Sequence, residues 1–224
     1  ITANSVEINN GNVFSNIGTI NSSNDLSIQS HSLDNQGSIL AYNDALLDLE
    51  ADMTNSGLIQ ANSIILDAND LTHSGTLYSN VMHLNLGDLV QSGYLISLTD
   101  LIITANAFEN STNAQTYAGN QLNLKVNEFE NNGVLTVNDD LDIISSEVLN
   151  SGDIYVAGSA HFSSSTGTDL TFENTGQVTV DATTTVSAYS FDNSGSWLSG
   201  ESFNGSMHEA SNSGQVMIYG NGYF

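Results

Sequence analysis

The sequence predicts an all-β fold, a right-handed parallel β-helix (a solenoid) of about eleven coils of about 19 residues each. Three observations predict it. An Asn-x-Gly tripeptide recurs at a nearly constant interval along the 224 residues. Apolar residues keep a fixed distance from each glycine, with the two-residue alternation of a β-strand. No segment sustains the 3.6-residue period of a helix.

The tripeptide sets the repeat. Two copies replace the asparagine, at His73/Gly75 and Gln91/Gly93, and one degenerate copy lies at Thr112/Ala114. Intervals between successive glycine (or Ala114) positions are 19, 20, 18, 18, 21, 19, 19, 24, 19 and 19 residues. Such regularity indicates stacked supersecondary units. The complete copies are Asn16/Gly18, Asn35/Gly37, Asn55/Gly57, Asn131/Gly133, Asn150/Gly152, Asn174/Gly176, Asn193/Gly195 and Asn212/Gly214.

The residues around each glycine predict two strands per repeat. A large apolar residue lies four before it, as Met53 does, and another lies two after it, as Ile59 does. A smaller residue lies four after it, as Ala61 does. Positions two and four share a face only in a strand. A second apolar pair follows about eight and ten residues after the glycine, for example Leu141 and Ile143.

The turn residues are predicted to be structural. A repeat this short cannot bury its apolar face alone, so the coils must stack. Glycine tolerates positive φ at a corner, and we expect it there for that reason. Asparagine can bond the backbone across a turn, and stacked asparagines can form an amide ladder at the ~4.8 Å strand spacing.

Composition excludes several partners. The chain has 25 acidic residues, one basic residue (Lys125) and a formal net charge of −24. Nucleic-acid binding needs clustered cations, so neither DNA nor RNA is an expected partner. No apolar stretch approaches the ~20 residues of a membrane helix, so membrane insertion is not expected either. Without cysteine there is no disulfide or thiolate site.

The sequence does not predict an enzyme, a metal site or a cofactor. Polysaccharide lyases and hydrolases share the β-helix, but lyases need cations that this chain lacks. Hydrolases need paired carboxylates, and the one inviting pair, Asp139 and Asp140, falls in a loop before the strand at Leu141. The histidines are scattered and no two occupy neighbouring slots of the repeat.

The run LDNQGSILAYNDALLDLEADMTNSGLIQANSIILDAND (residues 33–70) resembles consecutive repeats of filamentous-haemagglutinin-type proteins. That family includes two-partner-secreted adhesins and the large toxins of contact-dependent growth inhibition. The resemblance spans Phe14 to Ile218 and implies a β-helical filament on a bacterial cell surface, exported by a dedicated outer-membrane transporter. In the toxins, a central region of the filament recognises a receptor on the target cell.

We therefore expect residues 1–224 to form one solenoid, an internal fragment of a longer filament. Its predicted function is that of a receptor- or cell-binding region of a growth-inhibition toxin or adhesin, and a stalk without a partner is the alternative. The receptor would be an outer-membrane protein or a glycan on the target cell. Two departures from the repeat are predicted, an inserted loop at 163–169 and degenerate end coils at 199–224. Insertions in solenoids emerge on one face, often the binding face, although neutral length drift is the alternative.

The outward side of the strand after the turn carries more apolar and aromatic residues than a solvated face needs. Contiguous apolar surface often marks an interaction site, and tyrosine is enriched at binding hot spots. The alternative is that a loop or a neighbouring part of the filament covers this face. The predicted receptor-binding residues are Tyr78, Tyr94, Ile96, Tyr117 and Tyr155, with Ser163, Ser164 and Ser165 from the inserted loop.

Overall fold

The computed structural model describes residues 1–167 and 169–223. They form a right-handed parallel β-helix of about twelve turns, which confirms the predicted fold class. Within this part of the chain the strands make two sheets, of 12 and 19 strands, and every pairing is parallel. One turn more than predicted arises because Thr2–Ala3 adds a strand before the first Asn-x-Gly.

The twelve-stranded sheet holds the strand that follows each corner. Its register advances by one repeat at every step, so that Leu77 pairs with Leu95 and Leu135 with Ile154. Its strands are Thr2–Ala3, Thr19–Ser22, Ser38–Ala41, Leu58–Gln60, Thr76–Ser79, Tyr94–Ser97, Gln115–Ala118, Val134–Val137, Asp153–Val156, Gln177–Val180, Ser196–Ser199 and Gln215–Ile218.

The nineteen-stranded sheet holds the remaining strands of each coil, usually two, which merge into one long strand where no break separates them. Its strands are Val6–Asn16, Leu26–Asn35, Asp44–Leu49, Met53–Asn55, Ser63–Asp67, Asp70–His73, Val81–Asn85, Asp88–Gln91, Leu101–Thr104, Ala107–Asn110, Leu122–Lys125, Glu128–Asn131, Leu141–Ile144, Glu147–Asn150, Ala160–Ser163, Thr171–Asn174, Thr184–Asn193, Phe203–Asn212 and Gly222–Tyr223.

The core lies between the two sheets and changes character along the axis. In the first half it is aliphatic, with fully buried residues such as Ile39, Ile59 and Leu77 stacked in register. In the second half Trp197 contacts four phenylalanines at ring-centroid distances of 5.3 to 5.8 Å, namely Phe162, Phe172, Phe191 and Phe203. Buried and exposed residues alternate along most strands of both halves, up to the last coils, where little of Phe203–Asn212 is buried. This alternation is why the sequence pattern located the strands.

The predicted asparagine ladder is present at the corner between the sheets. Asn131 Nδ2 donates to Asn150 Oδ1 at 2.7 Å, and Asn150 Nδ2 donates to Asn174 Oδ1 at 2.7 Å. These asparagines are buried, so each amide bond satisfies polar groups that have left water. The carbonyl of each ladder asparagine before Asn212 also accepts two backbone N–H groups from the next corner, as Asn35 does from Ser56 and Gly57.

The reason predicted for the corner glycines is wrong. Among the described glycines, positive φ occurs at Gly167 and at none of the corners. The corners need glycine because the coils touch there. A Cβ at Gly57 would lie 2.0 Å from the carbonyl oxygen of Gly37, and one at Gly152 would lie 2.1 Å from that of Gly133. Close backbone stacking, not a left-handed conformation, excludes a side chain.

The same correction applies to the turn glycines of the later coils. A Cβ at Gly176 would lie 2.1 Å from the carbonyl oxygen of Gly152, and one at Gly195 would lie 2.1 Å from that of Gly176. Gly176 immediately precedes strand Gln177–Val180, and Gly195 immediately precedes strand Ser196–Ser199. Neither of these two glycines has positive φ. Close stacking therefore replaces the predicted reason at all six predicted turn glycines, Gly37, Gly57, Gly133, Gly152, Gly176 and Gly195.

The alignment predicted for the degenerate copy at Thr112/Ala114 is also wrong at its first position. Asn110, not Thr112, occupies the ladder position, where it pairs with Gln91 and Asn131. Ala114 does take the glycine position, because its carbonyl accepts the N–H of Val134. The extra residues between them form a turn in which Asn113 has φ 69°. The recurring Phe-Glu-Asn triplet at 108–110, 129–131 and 172–174 is the signal that identifies Asn110.

The two predicted departures fall in different places in the fold. The stretch 163–169 begins at the end of strand Ala160–Ser163, and its Thr168 lies outside the described residues. In 199–224, strands Phe203–Asn212 and Gln215–Ile218 continue the parallel stack, and Phe224 lies outside the described residues. Both boundaries stay predictions. Among the described residues there is no helix with the length and apolarity to cross a membrane.

Candidate functional site

Four of the predicted tyrosine and isoleucine positions share one outward row of the twelve-stranded sheet. Tyr78 pairs in register with Ile96, and Ile96 with Tyr117. Tyr117 then pairs with Thr136, and Thr136 with Tyr155. The row is therefore continuous over five successive coils, with each side chain on the face opposite the core.

Tyr94 belongs to the parallel outward row beside it. That row runs through Thr76, Tyr94, Gln115, Val134 and Asp153 in register. Tyr94 is 48% exposed, Val134 38% and Tyr155 38%, while Tyr78, Ile96 and Tyr117 are partly exposed. Leu98, directly after strand Tyr94–Ser97, adds a side chain that is 42% exposed. We call Tyr78, Tyr94, Ile96, Leu98, Tyr117, Val134 and Tyr155 the tyrosine face.

This face is open to solvent as far as the described residues extend. At Tyr94 and Tyr155, no loop among these residues covers the face, because each side chain keeps more than a third of its surface exposed to solvent. Exposed aromatic and aliphatic side chains are grouped here rather than scattered singly, which is the arrangement typical of an interaction surface.

Two of the tyrosines are held by hydrogen bonds to the next coil. The Tyr117 hydroxyl accepts from Asn138 Nδ2 at 2.7 Å. The Tyr155 hydroxyl donates to Asp181 Oδ2 at 2.6 Å. That hydrogen bond, with the negative charge of Asp181, raises the pKa of Tyr155 above its ordinary value. Sequence reasoning missed Leu98 because it lies one position beyond the predicted strand. It missed Asn138 and Asp181 because contacts between coils depend on register.

The inserted loop is not part of the same surface. Ser163 ends a strand of the nineteen-stranded sheet, whereas the tyrosines lie on the other sheet. Ser164 is buried and its Oγ accepts the backbone N–H of Asp169 at 3.2 Å, while Ser165 is exposed. Hydrogen bonds from Ser164 and Thr166 hold the pKa of Asp169 below its ordinary value. The structure thus brings the five predicted sheet residues together and leaves the three serines apart from them.

The electrostatics of the tyrosine face limit what it can hold. Its nearest ionisable neighbours in the two rows are acidic, Asp153 in the outward row and Asp181 beside Tyr155. Lys125 ends a strand of the opposite sheet and cannot neutralise an anion here. The described residues contain no group of three His, Asp or Glu side chains placed to hold a metal ion. The face can offer ring surfaces, aliphatic contacts and a few hydroxyl and amide groups.

A family comparison covers most of the chain. The family model described as haemagglutinin repeat matches residues 1–57, 58–166 and 150–204. A search of curated proteins and a search of solved structures each gave no match. The three matched ranges lie within the solenoid, so the residues that match the family model are the residues that build the coils.

Proposed function

Because this chain belongs to the haemagglutinin repeat family, we propose that it is a receptor-binding segment of a cell-surface filament, of the growth-inhibition toxin or adhesin kind. Haemagglutinin repeats are typical of secreted or cell-surface proteins, and the family is of a structural or adhesin type rather than an enzymatic one. The full-length protein would leave the cell through a dedicated outer-membrane transporter. Its partner is an outer-membrane protein or glycan on a target cell.

The observation that carries the proposal is the tyrosine face. A filament that acts only as a spacer needs outward residues that are soluble. On the tyrosine face, however, Tyr94, Leu98 and Tyr155 are exposed together on a sheet whose backbone is fixed by pairing on both sides. Rigid aromatic side chains on a rigid support lose little entropy on binding, which favours recognition.

The test is binding of the fragment to susceptible bacteria. Fluorescently labelled fragment should bind these cells saturably and should compete with the full-length protein. Serine substitution of Tyr78, Tyr94, Tyr117 and Tyr155 should reduce binding several-fold or more, because single hot-spot residues often contribute over ~1–2 kcal/mol. Ser165→Ala tests the loop separately, since Ser165 lies in the turn that follows strand Ala160–Ser163 of the other sheet. Unchanged binding by the quadruple variant would contradict the proposal.

A stalk without a partner is the second candidate function. It is favoured by the corner ladder, which runs through most coils and stiffens the stack irrespective of what the surface binds. The same experiment separates the two candidates. A stalk neither binds cells nor competes with the full-length protein, and replacing its outward tyrosines changes nothing.

A further inference from the structure

The tyrosines of the continuous outward row repeat at every second coil. Tyr78, Tyr117 and Tyr155 alternate with Ile96 and Thr136 along one unbroken line of register partners. Because neighbouring strands lie ~4.8 Å apart, the rings repeat at ~10 Å and the row spans ~19 Å. A ligand that uses all the rings must therefore run along the solenoid axis and have a matching period.

The row is pre-organised at two of its three rings. Asn138 fixes the hydroxyl of Tyr117, and Asp181 fixes that of Tyr155. Each partner belongs to the coil that follows its tyrosine, so both hydroxyls are directed the same way along the axis. Little side-chain freedom remains to be lost when a ligand arrives.

The charge of the surroundings selects against anionic ligands. Asp153 and Asp181 flank the C-terminal end of the row, near Tyr155. The one lysine of the chain lies on the other sheet. With a formal net charge of −24, the protein repels anionic polymers at long range as well. The groups that remain for polar contact are neutral, Thr76, Gln115 and Thr136 on the two rows.

The size of the face favours a narrow ligand. The face is five coils long and three outward side chains wide. At the strand and residue spacings of a sheet, such a surface covers roughly 300–400 Å². A standard protein–protein interface buries ~800 Å² on each partner. The tyrosine face is thus too small for the whole of such an interface, but its length and width suit a single extended polymer.

We propose that the tyrosine face binds a neutral, extended polysaccharide whose chain lies along the solenoid axis; this deepens the proposed function and rests on it. In an extended β-1,4-linked pyranose chain, each sugar advances by nearly one strand spacing, and alternate sugars present the same face. Every second sugar therefore stacks its C–H groups on Tyr78, Tyr117 or Tyr155, through contacts that aromatic rings favour. The sugars between them lie over Ile96 and Thr136 and hydrogen-bond to neutral groups.

The first experiment is calorimetric titration of the whole fragment with neutral β-1,4-linked oligosaccharides of increasing length. Affinity should rise by about tenfold or more until the oligosaccharide spans the row, at about five sugars, and then level off. The triple variant Y78S/Y117S/Y155S should lose about tenfold or more in affinity. Tyr42→Ser is the matched control, because Tyr42 is 78% exposed and lies outside the row; its affinity should not change.

Folding and ring chemistry are controlled with a second variant. Y78F/Y117F/Y155F keeps the rings, so it should retain most of the affinity, and circular dichroism should show the same strand content for all variants. Equal affinity of the triple serine variant and the wild type overturns the inference. So does a preference for anionic polysaccharides such as polygalacturonate over neutral ones.

Cells distinguish this inference from the function on which it rests. If binding survives protease treatment of the cells and soluble neutral oligosaccharide abolishes it, both stand. If protease abolishes binding and no oligosaccharide competes, the receptor is a protein, so the polysaccharide inference fails and the receptor-binding function remains. If oligosaccharides bind but cells do not, the surface recognises the polymer and the cellular function fails. If neither binds, both are overturned.

Discussion

The corners of the second half of the solenoid and those around His73 and Gln91 solve the same problem differently. From Asn110 to Asn212 every corner asparagine donates to the next at 2.6 to 2.7 Å. In the first half the ladder ends at His73, whose Nδ1 lies 3.0 Å from Asn55 Nδ2. Gln91 bonds to the backbone of its own corner and of the next, through Gly93 and Gln115.

One contact is common to both kinds of corner. The side-chain nitrogen reaches the carbonyl of the first residue after the next corner, as Asn131 does with Asp153 at 3.2 Å. His73 Nε2 makes the same contact with Tyr94 O at 3.0 Å, and Gln91 Nε2 with Gln115 O at 3.0 Å. The difference teaches that a donor to this backbone carbonyl is kept when asparagine is replaced by histidine or glutamine, whereas the bond onward to the next corner side chain is lost.

The largest effect should come from filling the contact between two corners. Gly152→Ala should lower the free energy of unfolding by about 2 kcal/mol or more, because its Cβ would lie 2.1 Å from the carbonyl oxygen of Gly133. Gly18→Ala is the matched control, since no atom lies within 4 Å of a Cβ there, and it should be close to neutral. Urea unfolding measures both. Equal costs would mean that backbone conformation, rather than stacking, selects glycine.

A smaller effect should separate the two kinds of corner. Asn150→Leu leaves Asn174 Oδ1 without its donor and removes one of the two bonds of Asn131 Nδ2. It also removes the side-chain bonds to the carbonyls of Gly152 and Gln177, so it should cost about 1–2 kcal/mol. Gln91→Leu removes side-chain bonds to backbone groups only, and it should cost about 1 kcal/mol less than Asn150→Leu. Urea unfolding midpoints of both variants decide this. If the costs are equal, the side-chain ladder adds nothing to the backbone contact.

The sequence was sufficient for the fold because stacking identical coils leaves few alternatives. Periodicity located the strands, and Asn-x-Gly located the corners. The sequence could not identify why glycine is required at the corners, because positive φ and close stacking both select glycine. At the tyrosine face, alternation gave the direction of Tyr78 and Tyr117 correctly. It could not give the partners Asn138 and Asp181, because contacts between coils depend on register rather than on the local pattern.

A pH-dependent effect should follow from the histidine corner. Both ring nitrogens of His73 are engaged, with Nδ1 as acceptor from Asn55 and Nε2–H as donor to Tyr94 O. Burial lowers the pKa of His73 below its ordinary value of 6.5. The unfolded chain therefore takes up a proton at a higher pH than the folded chain. The contribution of this residue to stability is complete above about pH 6.5 and is lost as the pH falls toward the lower folded pKa.

His73→Asn isolates that effect. Asparagine restores the residue found at most corners and cannot titrate, so the variant should lose less stability than the wild type when the pH falls from 8 to about 5. Carboxylates titrate in both proteins, so their contribution cancels when the unfolding midpoints of the variant and the wild type are subtracted. Protonation would place a proton on Nδ1, opposite the Asn55 amide, whose oxygen is already bonded to Asn35. Parallel pH profiles would show that the histidine corner accommodates the charge.

The smallest effect should be found at an exposed bond between coils. The hydrogen bond to Asp181 and its charge raise the pKa of Tyr155 above its ordinary value of 10.0. Asp181→Asn keeps a polar partner but removes the charge, so Tyr155 should ionise at lower pH than in the wild type. A difference titration of phenolate absorbance, with Tyr155→Phe to assign the signal among eight tyrosines, measures the shift.

The sign of the accompanying stability effect is opposite to that at His73. A tyrosine whose pKa is raised on folding resists ionisation in the folded state, so its contribution is present below about pH 10 and is lost as the pH rises further. Because this hydroxyl is exposed, water and salt screen the interaction, and unfolding at neutral pH should hardly distinguish Asp181→Asn from the wild type. A loss as large as that of Asn150→Leu would mean that surface and corner bonds stabilise the stack equally, and the contrast between them would not hold.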